Sequence, residues 1–288
     1  MECIRAVYKQ LLLLLGHSDM GVIVHALSLF TTLCLNEELG SKAQLFVGNV
    51  CETFQLVFDL LRSEEAELNT QVYSINLLID FSKAQNLLTA LETFPDLDQN
   101  LYAMSSLLID SPSVLVSKIA ELYSHLSTNP NIYSKIFDSL IAPDDNAPLK
   151  ALLSLPLKEP FLSSLRVMLP DLLEGCEEYR ESVVDKLVRV IETIPLHTPH
   201  QTIEYRTVSV AAHCLSDLYK VQCCQQSVCY RLGGLVEQIN AWLDSAPDPY
   251  KDSFSEECCG AMTHLAHLAI TVNHPDVRLA LSHPHLSL

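Results

Sequence analysis

Two clusters of thiols and imidazoles in the last third of the chain have the residue types for metal or nucleophilic chemistry. Cys258-Cys259-x4-His264-x2-His267-x6-His274 places soft and borderline ligands on one helix and its exit, and Cys223-Cys224-x4-Cys229 adds three thiols upstream. Zinc would accept any four of these, but a structural zinc site is usually built on two Cys-x2-4-Cys or equivalent pairs, and Cys224-x4-Cys229 is the single Cys–Cys spacing of that kind in the two clusters. His264 and His267 stand at i, i+3 and share a helix face, which describes two packed core residues as well as two ligands. Helix packing is the reading taken, with no metal ligand and no cofactor assigned; a zinc-binding structural module is the minor alternative. No Gly-x-Ser-x-Gly elbow, phosphate-binding Walker loop or dinucleotide fingerprint occurs, and Gly233-Gly234 reads as a pair between two helices. No catalytic residue is assigned, and the chain is expected not to be an enzyme.

The elements that would have to position these residues are helical. The chain has 288 residues, 49% of them hydrophobic and 18% charged, with only 8 glycines but 51 leucines, which excludes a disordered or collagen-like chain and favours packed helices. Its formal net charge of −17 argues against non-specific nucleic-acid binding and against docking on anionic lipid, both of which call for Lys and Arg. No apolar run approaches the roughly 20 residues that span a bilayer. Arg5 and Lys9 before Leu11–Leu15 faintly imitate a secretory leader, but the apolar run is five residues and Gly16-His17-Ser18-Asp19 is a poor cleavage site. Cys34, Cys51 and Cys214 lie in apolar helical runs and no Asn-x-Ser/Thr acceptor occurs, so a reducing, cytoplasmic compartment is expected.

An internal repeat organises the first half. Val7-x2-Gln10-x2-Leu13-Leu14 recurs 47 residues on as Phe54-x2-Val57-x2-Leu60-Leu61, and again as Leu101-x2-Met104-x2-Leu107-Leu108. All but Gln10 are apolar, at a spacing that marks one helix face. A second helix follows each copy: Val24-x2-Leu27-x2-Phe30, Val72-x2-Ile75-x2-Leu78 and Val116-x2-Ile119-x2-Leu122. A short piece precedes the second and third pairs, Ser41-Lys42-Ala43-Gln44-x-Phe46 and Ser82-Lys83-Ala84-Gln85-x-Leu87. One short and two longer helices per 40–47 residues is the armadillo/HEAT spacing. One such unit cannot cover its own apolar face, so units stack. Ser18-Asp19 is expected to cap a helix from near Met20, while Ser111-Pro112-Ser113 and Asn129-Pro130 end one helix and start the next.

The fold class expected is therefore all-α, an armadillo/HEAT-like right-handed α-solenoid, with regular repeats over 1–140 and a degenerate continuation over 141–288. Ala142-Pro143-Asp144-Asp145-Asn146-Ala147-Pro148 reads as an exposed acidic loop. Pro156 and Pro160 precede a helix from about Phe161 to Leu173, with further helices at 179–193, 202–220, 233–244 and 253–272. A separate second domain is the alternative for this half.

The run His17 to Gly40, HSDMGVIVHALSLFTTLCLNEELG, with Glu52-Thr53-Phe54-Gln55-Leu56-Val57-Phe58-Asp59-Leu60-Leu61 after it, resembles the armadillo-like region of the cancerous inhibitor of protein phosphatase 2A family. The likeness is clearest over residues 4–127, and the residues that carry it are structural. It implies a dimeric, non-enzymatic scaffold, helical repeats followed by a long coiled coil, that binds a phosphatase 2A regulatory subunit and joins genome-maintenance adaptors in mitosis. Cytoplasmic location with nuclear access in mitosis is implied with it. The likeness places Met1 opposite the interior of the family's solenoid, and no sustained heptad run precedes Leu288. An armadillo/HEAT scaffold with an unrelated partner is the alternative.

Two recognition patterns bear on this reading. Import receptors hold basic peptides with repeated Trp and Asn on the concave helices. Here the corresponding positions are Leu29, Leu77 and Glu121, and Trp242 is the single tryptophan. The expectation for Leu29 and Leu77 is repeat-to-repeat packing. Regulatory subunits of phosphatase 2A recognise extended Leu-x-x-Ile-x-Glu segments. Leu169-x2-Leu172-x-Glu174 and Leu232-x2-Leu235-x-Glu237 are degenerate copies on predicted helices, so a folded surface is the expected contact and no partner-binding residue is assigned.

Overall fold

The computed structural model describes residues 2–19, 21–23, 25–26, 29, 33, 50–63, 66–83, 85–109, 111–141, 147–192, 202–231, 263–265, 267–268 and 271–272. Among them every regular element is a helix, so the all-α expectation holds. The chain divides into two compact units, Met1–Leu155 and Pro156–Leu288.

In the first unit, α1 (Glu2–Leu15) is followed by helical residues at 21–23, 25–26, 29 and 33, then α2 (Val50–Arg62), α3 (Leu68–Lys83), α4 (Gln85–Glu92), α5 (Leu97–Ser106), α6 (Ser113–Leu126), α7 (Pro130–Leu140) and α8 (Ala147–Ser154). The short α4 before the longer α5 and α6 is the three-helix order expected from the repeat. Helix α3 packs against α2, α4 and α6, α5 packs against α2 and α7, and α6 against α3 and α7. Neighbouring repeats thus share a core through like helices, the arrangement of stacked repeats. Phe54, Phe81 and Phe94 meet edge to face at its centre, with ring centroids 5.6 and 6.0 Å from Phe54.

The first repeat stripe needs a correction of one residue. Val7 and Leu13 are 43% and 70% exposed, while Tyr8, Leu11 and Leu15 are buried. These match Phe54, Val57 and Leu61, then Leu101, Met104 and Leu108, all buried, so the first offset is 46 residues, from Tyr8 to Phe54, and the second 47. Each residue turns the helix by 100°, and with five consecutive leucines in α1 two adjacent stripes are equally apolar. Gln10, the polar exception in the expected stripe, is exposed. The second-helix stripe holds at Ile75, Leu78, Val116, Ile119 and Leu122, all buried. Val24, Leu27, Phe30 and the segment at 41–46 lie outside the described residues.

Side-chain caps form at Asp19 and Asn129, whereas at Ser111-Pro112-Ser113 the helix starts on proline with no side-chain cap from a hydroxyl. The Asp19 carboxylate accepts from Gly21 N–H at 2.8 Å. Pro112 precedes α6 and its carbonyl accepts from Leu115 and Val116. The Asn129 side chain accepts from the Asn131 and Ile132 amides while Pro130 takes the first helical position. The Ser82-Lys83 half of the shared tetrapeptide is the end of α3, and Gln85 starts α4. One correction concerns the acidic loop: Ala147 and Pro148 belong to the first turn of α8, with Pro148 buried. Proline is tolerated there because first-turn amides have no helical partner. Residues 142–146 lie outside the described residues.

The second unit contains α9 (Phe161–Arg166), α10 (Leu169–Gly175), α11 (Glu177–Glu192), α12 (Thr202–Lys220) and a helical stretch at 225–231. The single helix expected from Phe161 to Leu173 is two. Pro170 has no N–H to give and its ring would collide with the carbonyl of Arg166, so α9 stops there and α10 restarts with Pro170 in its first turn. Helices α11 and α12 match the sequence expectation and pack on each other through Val183, Val184, Leu187, Val188 and Ile191 on one side. Ala211 and Ala212, both fully buried, let α12 approach its neighbours closely. The expected helix at 233–244 lies outside the described residues, and of 253–272 only 263–265, 267–268 and 271–272 are described, all helical.

Candidate functional site

The second unit gathers most of the side chains with chemical potential, on α12 and what packs against it. The period of α12 turns His213 and Asp217 one helical turn apart, and Ser209 one turn before them. Arg166 of α9 donates to Asp217 at 3.0 Å, and Lys220 donates to its other oxygen at 2.9 Å. Burial resists ionisation of Asp217, but the Lys220 and Arg166 hydrogen bonds and charges outweigh it, and the carboxyl is held below its usual range. Next to this pair the imidazoles of His213 and His264 lie with ring centroids 3.9 Å apart, and Ser209 Oγ is hydrogen-bonded to His264 Nδ1. Burial pushes both histidines below their ordinary value, with His264 and Arg166 adding to it at His213 and His267 and Arg166 adding at His264.

Among the described residues the Ser209–His264 contact is the nearest approach to a nucleophile and base. The group against the His264 ring is an imidazole, where a triad needs a carboxylate to hold the imidazolium that forms. A base whose cation is further disfavoured by Arg166 is weaker.

His267 adds its charge at His264 without a ring contact there. It is exposed, and the Thr271 hydroxyl donates to its backbone carbonyl at 2.8 Å. His267 acts on its helix neighbour His264 through charge, while the structure sets the His264 ring against His213. Sequence reasoning missed that partner, although a histidine inside the apolar run Ala211-Ala212-His213-Cys214-Leu215 was the available signal. Cys214 is buried and its thiol is pushed up to about 12, chiefly by burial, as expected of a packed cysteine. Among the described residues no group of three or more His, Cys, Asp or Glu is arranged to hold a metal ion. Cys258, Cys259 and His274 lie outside them.

Cys223 and Cys224 occupy the turn after α12, where Cys224 N–H donates to the Val221 carbonyl at 2.9 Å. Cys223 helps line an open groove of about 660 Å³ with Glu177, Glu181, Arg180, Tyr230 and Arg231. Its cations are committed elsewhere. Arg180 donates to the Leu173 and Glu174 carbonyls that end α10, and Arg231 pairs with Asp185 at 3.2 Å while lying over the Tyr230 ring.

In the first unit the three import-receptor positions differ from one another. Leu77 is fully buried, as repeat packing requires, whereas Leu29 is 50% exposed and Glu121 pairs with Lys118 at 2.7 Å. Packing was the expectation for both leucines, and Leu29 departs from it. It lines an apolar groove of about 460 Å³ with Leu11, Leu14, Val22 and Ala26. Trp242 lies outside the described residues. The degenerate docking motif at Leu169-Leu172-Glu174 is closed to a partner, because α10 buries both leucines; the copy at 232–237 is outside the described residues.

A buried polar network ties α5, α6 and α7. Ser105 Oγ bonds the Tyr123 hydroxyl at 2.7 Å and Ser139 Oγ at 2.8 Å, and Tyr123 also donates to the Leu101 carbonyl at 3.2 Å. Burial drives the Tyr123 phenol well above its usual range, so it stays a neutral donor. This is structural chemistry, which satisfies polar groups in a helix interface.

Stacked helical repeats, faces given to packing and open grooves define a scaffold of the armadillo type. A family model described as CIP2A, N-terminal, matches residues 1–225, and the chain belongs to that family. Among solved structures it is similar to a designed armadillo repeat protein, at 12% identity and a TM-score of 0.50 over 89% of this chain and 98% of that one. Two engineered proteins are similar at 15% and 14% identity, with TM-scores of 0.50 and 0.51, over 93% and 89% of this chain and 98% and 97% of theirs. At these identities the likeness is one of fold.

Proposed function

We propose that the chain is a non-enzymatic protein-binding scaffold that engages a regulatory subunit of protein phosphatase 2A. The observation that carries this is the family match over residues 1–225. The acidic surface and the armadillo-type repeats support it, because such arrays offer long exposed faces to protein partners. Mitotic genome-maintenance adaptors and a second copy of the chain are further partners on the same reading, in the cytoplasm and, during mitosis, in the nucleus. A folded surface is the contact on this reading, which the burial of Leu169 and Leu172 in α10 supports.

The test is direct binding of the purified chain to a B-prime family regulatory subunit, with light scattering to report mass. Saturable binding is expected. A folded chain that fails to bind at tens of micromolar overturns the reading in favour of an armadillo scaffold with an unrelated partner.

A further inference from the structure

The geometry points to Cys223 and Cys224 as a modification site, a vicinal dithiol that hydroperoxides close reversibly into a disulfide. The two Sγ atoms lie 3.9 Å apart, so adjacent side chains that could diverge point the same way. The turn that brings them together, residues 221–224 between α12 and the helix at 225–231, holds both as free thiols. Their surroundings differ in the way a two-thiol oxidation needs. Cys223 is half-buried and opens on the groove beside Arg180, Tyr230 and Arg231, where a small oxidant can reach it. Cys224 is fully buried next to it, and burial together with the neighbouring Cys223 pushes its thiol up to about 12, so it is the protected, resolving partner rather than the first to react. An accessible thiol poised next to a resolving one is the arrangement in which a sulfenic acid is captured before further oxidation.

The steps balance. The Cys223 sulfur attacks one oxygen of the hydroperoxide and the O–O bond breaks. Cys223 becomes the sulfenic acid, and water or an alcohol leaves. The Cys224 sulfur then attacks the sulfenic sulfur, the S–S bond forms, and the hydroxyl leaves as water with the thiol proton. Two thiols lose two electrons in total and the peroxide gains them. Consecutive Cα atoms are about 3.8 Å apart, less than the span an unstrained disulfide takes. Such a bridge is readily reduced again, which makes the site reversible. Closing it draws the Cys223 sulfur from the groove wall toward Cys224.

Trypsin after Lys220 and Arg231 releases Val221–Arg231, which carries Cys223, Cys224 and Cys229 together. The folded full-length chain is treated with hydrogen peroxide, alkylated, digested and sequenced by mass spectrometry. The expected peptide has lost two hydrogens, shows no fragmentation between residues 223 and 224, and carries alkylated Cys229; dithiothreitol restores the dithiol. Cys229→Ser should leave the bridge in place and Cys223→Ser should abolish it. A bridge from either residue to Cys229, Cys176 or any other cysteine overturns the assignment. So does Cys223 advancing to sulfinic acid beside an alkylatable Cys224, or a Cys223 no faster to oxidise than Cys229. Because Cys229→Ser leaves the buried Cys224 untouched, the result does not depend on a core variant folding.

Discussion

Helices α3 and α6 are the same element one repeat apart, and they are not buried alike. At an offset of 44 residues, Ile75 and Leu78 correspond to Ile119 and Leu122, and all four are buried. A second stripe separates the two helices. Thr70, Ser74, Leu77 and Phe81 of α3 are all buried, whereas Val114 of α6 is 56% exposed, Lys118 and Glu121 form a half-exposed ion pair, and His125 is half-buried. Helix α3 is enclosed on two faces, by α6 and by α2, where Phe81 meets Phe54. Small side chains at 70 and 74 let that second approach happen. Helix α6 makes up part of the difference with a buried hydroxyl, Tyr123, which reaches α5. One repeat template thus serves two environments by changing one stripe and keeping the other.

The shared stripe predicts the largest effects. Ile75→Asp and Ile119→Asp should each unfold the first unit, because a buried unpaired carboxylate costs several kcal/mol, of the order of the stability of a whole domain. Cooperative melting of either variant near the parent midpoint would break the equivalence of the two helices. The divergent stripe comes next. Leu77→Ala should cost about 2–5 kcal/mol in urea unfolding, while Glu121→Ala at the matching position should stay within about 0.5 kcal/mol, since an exposed ion pair is worth little. Equal losses would mean that α6 is as enclosed as α3.

Tyr123→Phe should cost about 1 kcal/mol with side-chain packing intact, the worth of a buried hydrogen bond. A neutral result would remove the network as the feature that distinguishes α6. The smallest effect is expected at Ser74, whose buried hydroxyl has no hydrogen-bond partner among the described residues. Ser74→Ala should be neutral or raise stability by up to about 1 kcal/mol, and a clear loss would show that the hydroxyl supports the close approach of α3 to its neighbours.

Much of this fold is written in local chemistry. Apolar spacing marked α2, α5 and α6 and their buried faces, and Asp19, Pro112 and Asn129 marked where helices begin. Where two signals competed, the reading slipped. In α1 a run of leucines offered two stripes and the exposed one was taken. At Pro170 the apolar pattern ran on through a residue that stops the helix. The site was less legible than the fold. His264 was read beside His267 because they share a helix, whereas its partner His213 comes from α12, far away in sequence.

Composition, charge and the 3.6-residue period were enough to determine an all-helical repeat chain, because each helix must bury a stripe and the stripes recur at the length of a three-helix unit. Tertiary structure alone decided how many faces each helix buries, which cysteine opens on a groove and which is buried next to it, and which histidine meets His264. Those outcomes depend on the distance between elements remote in sequence, and the helical period says which way a side chain points but not what stands there to meet it.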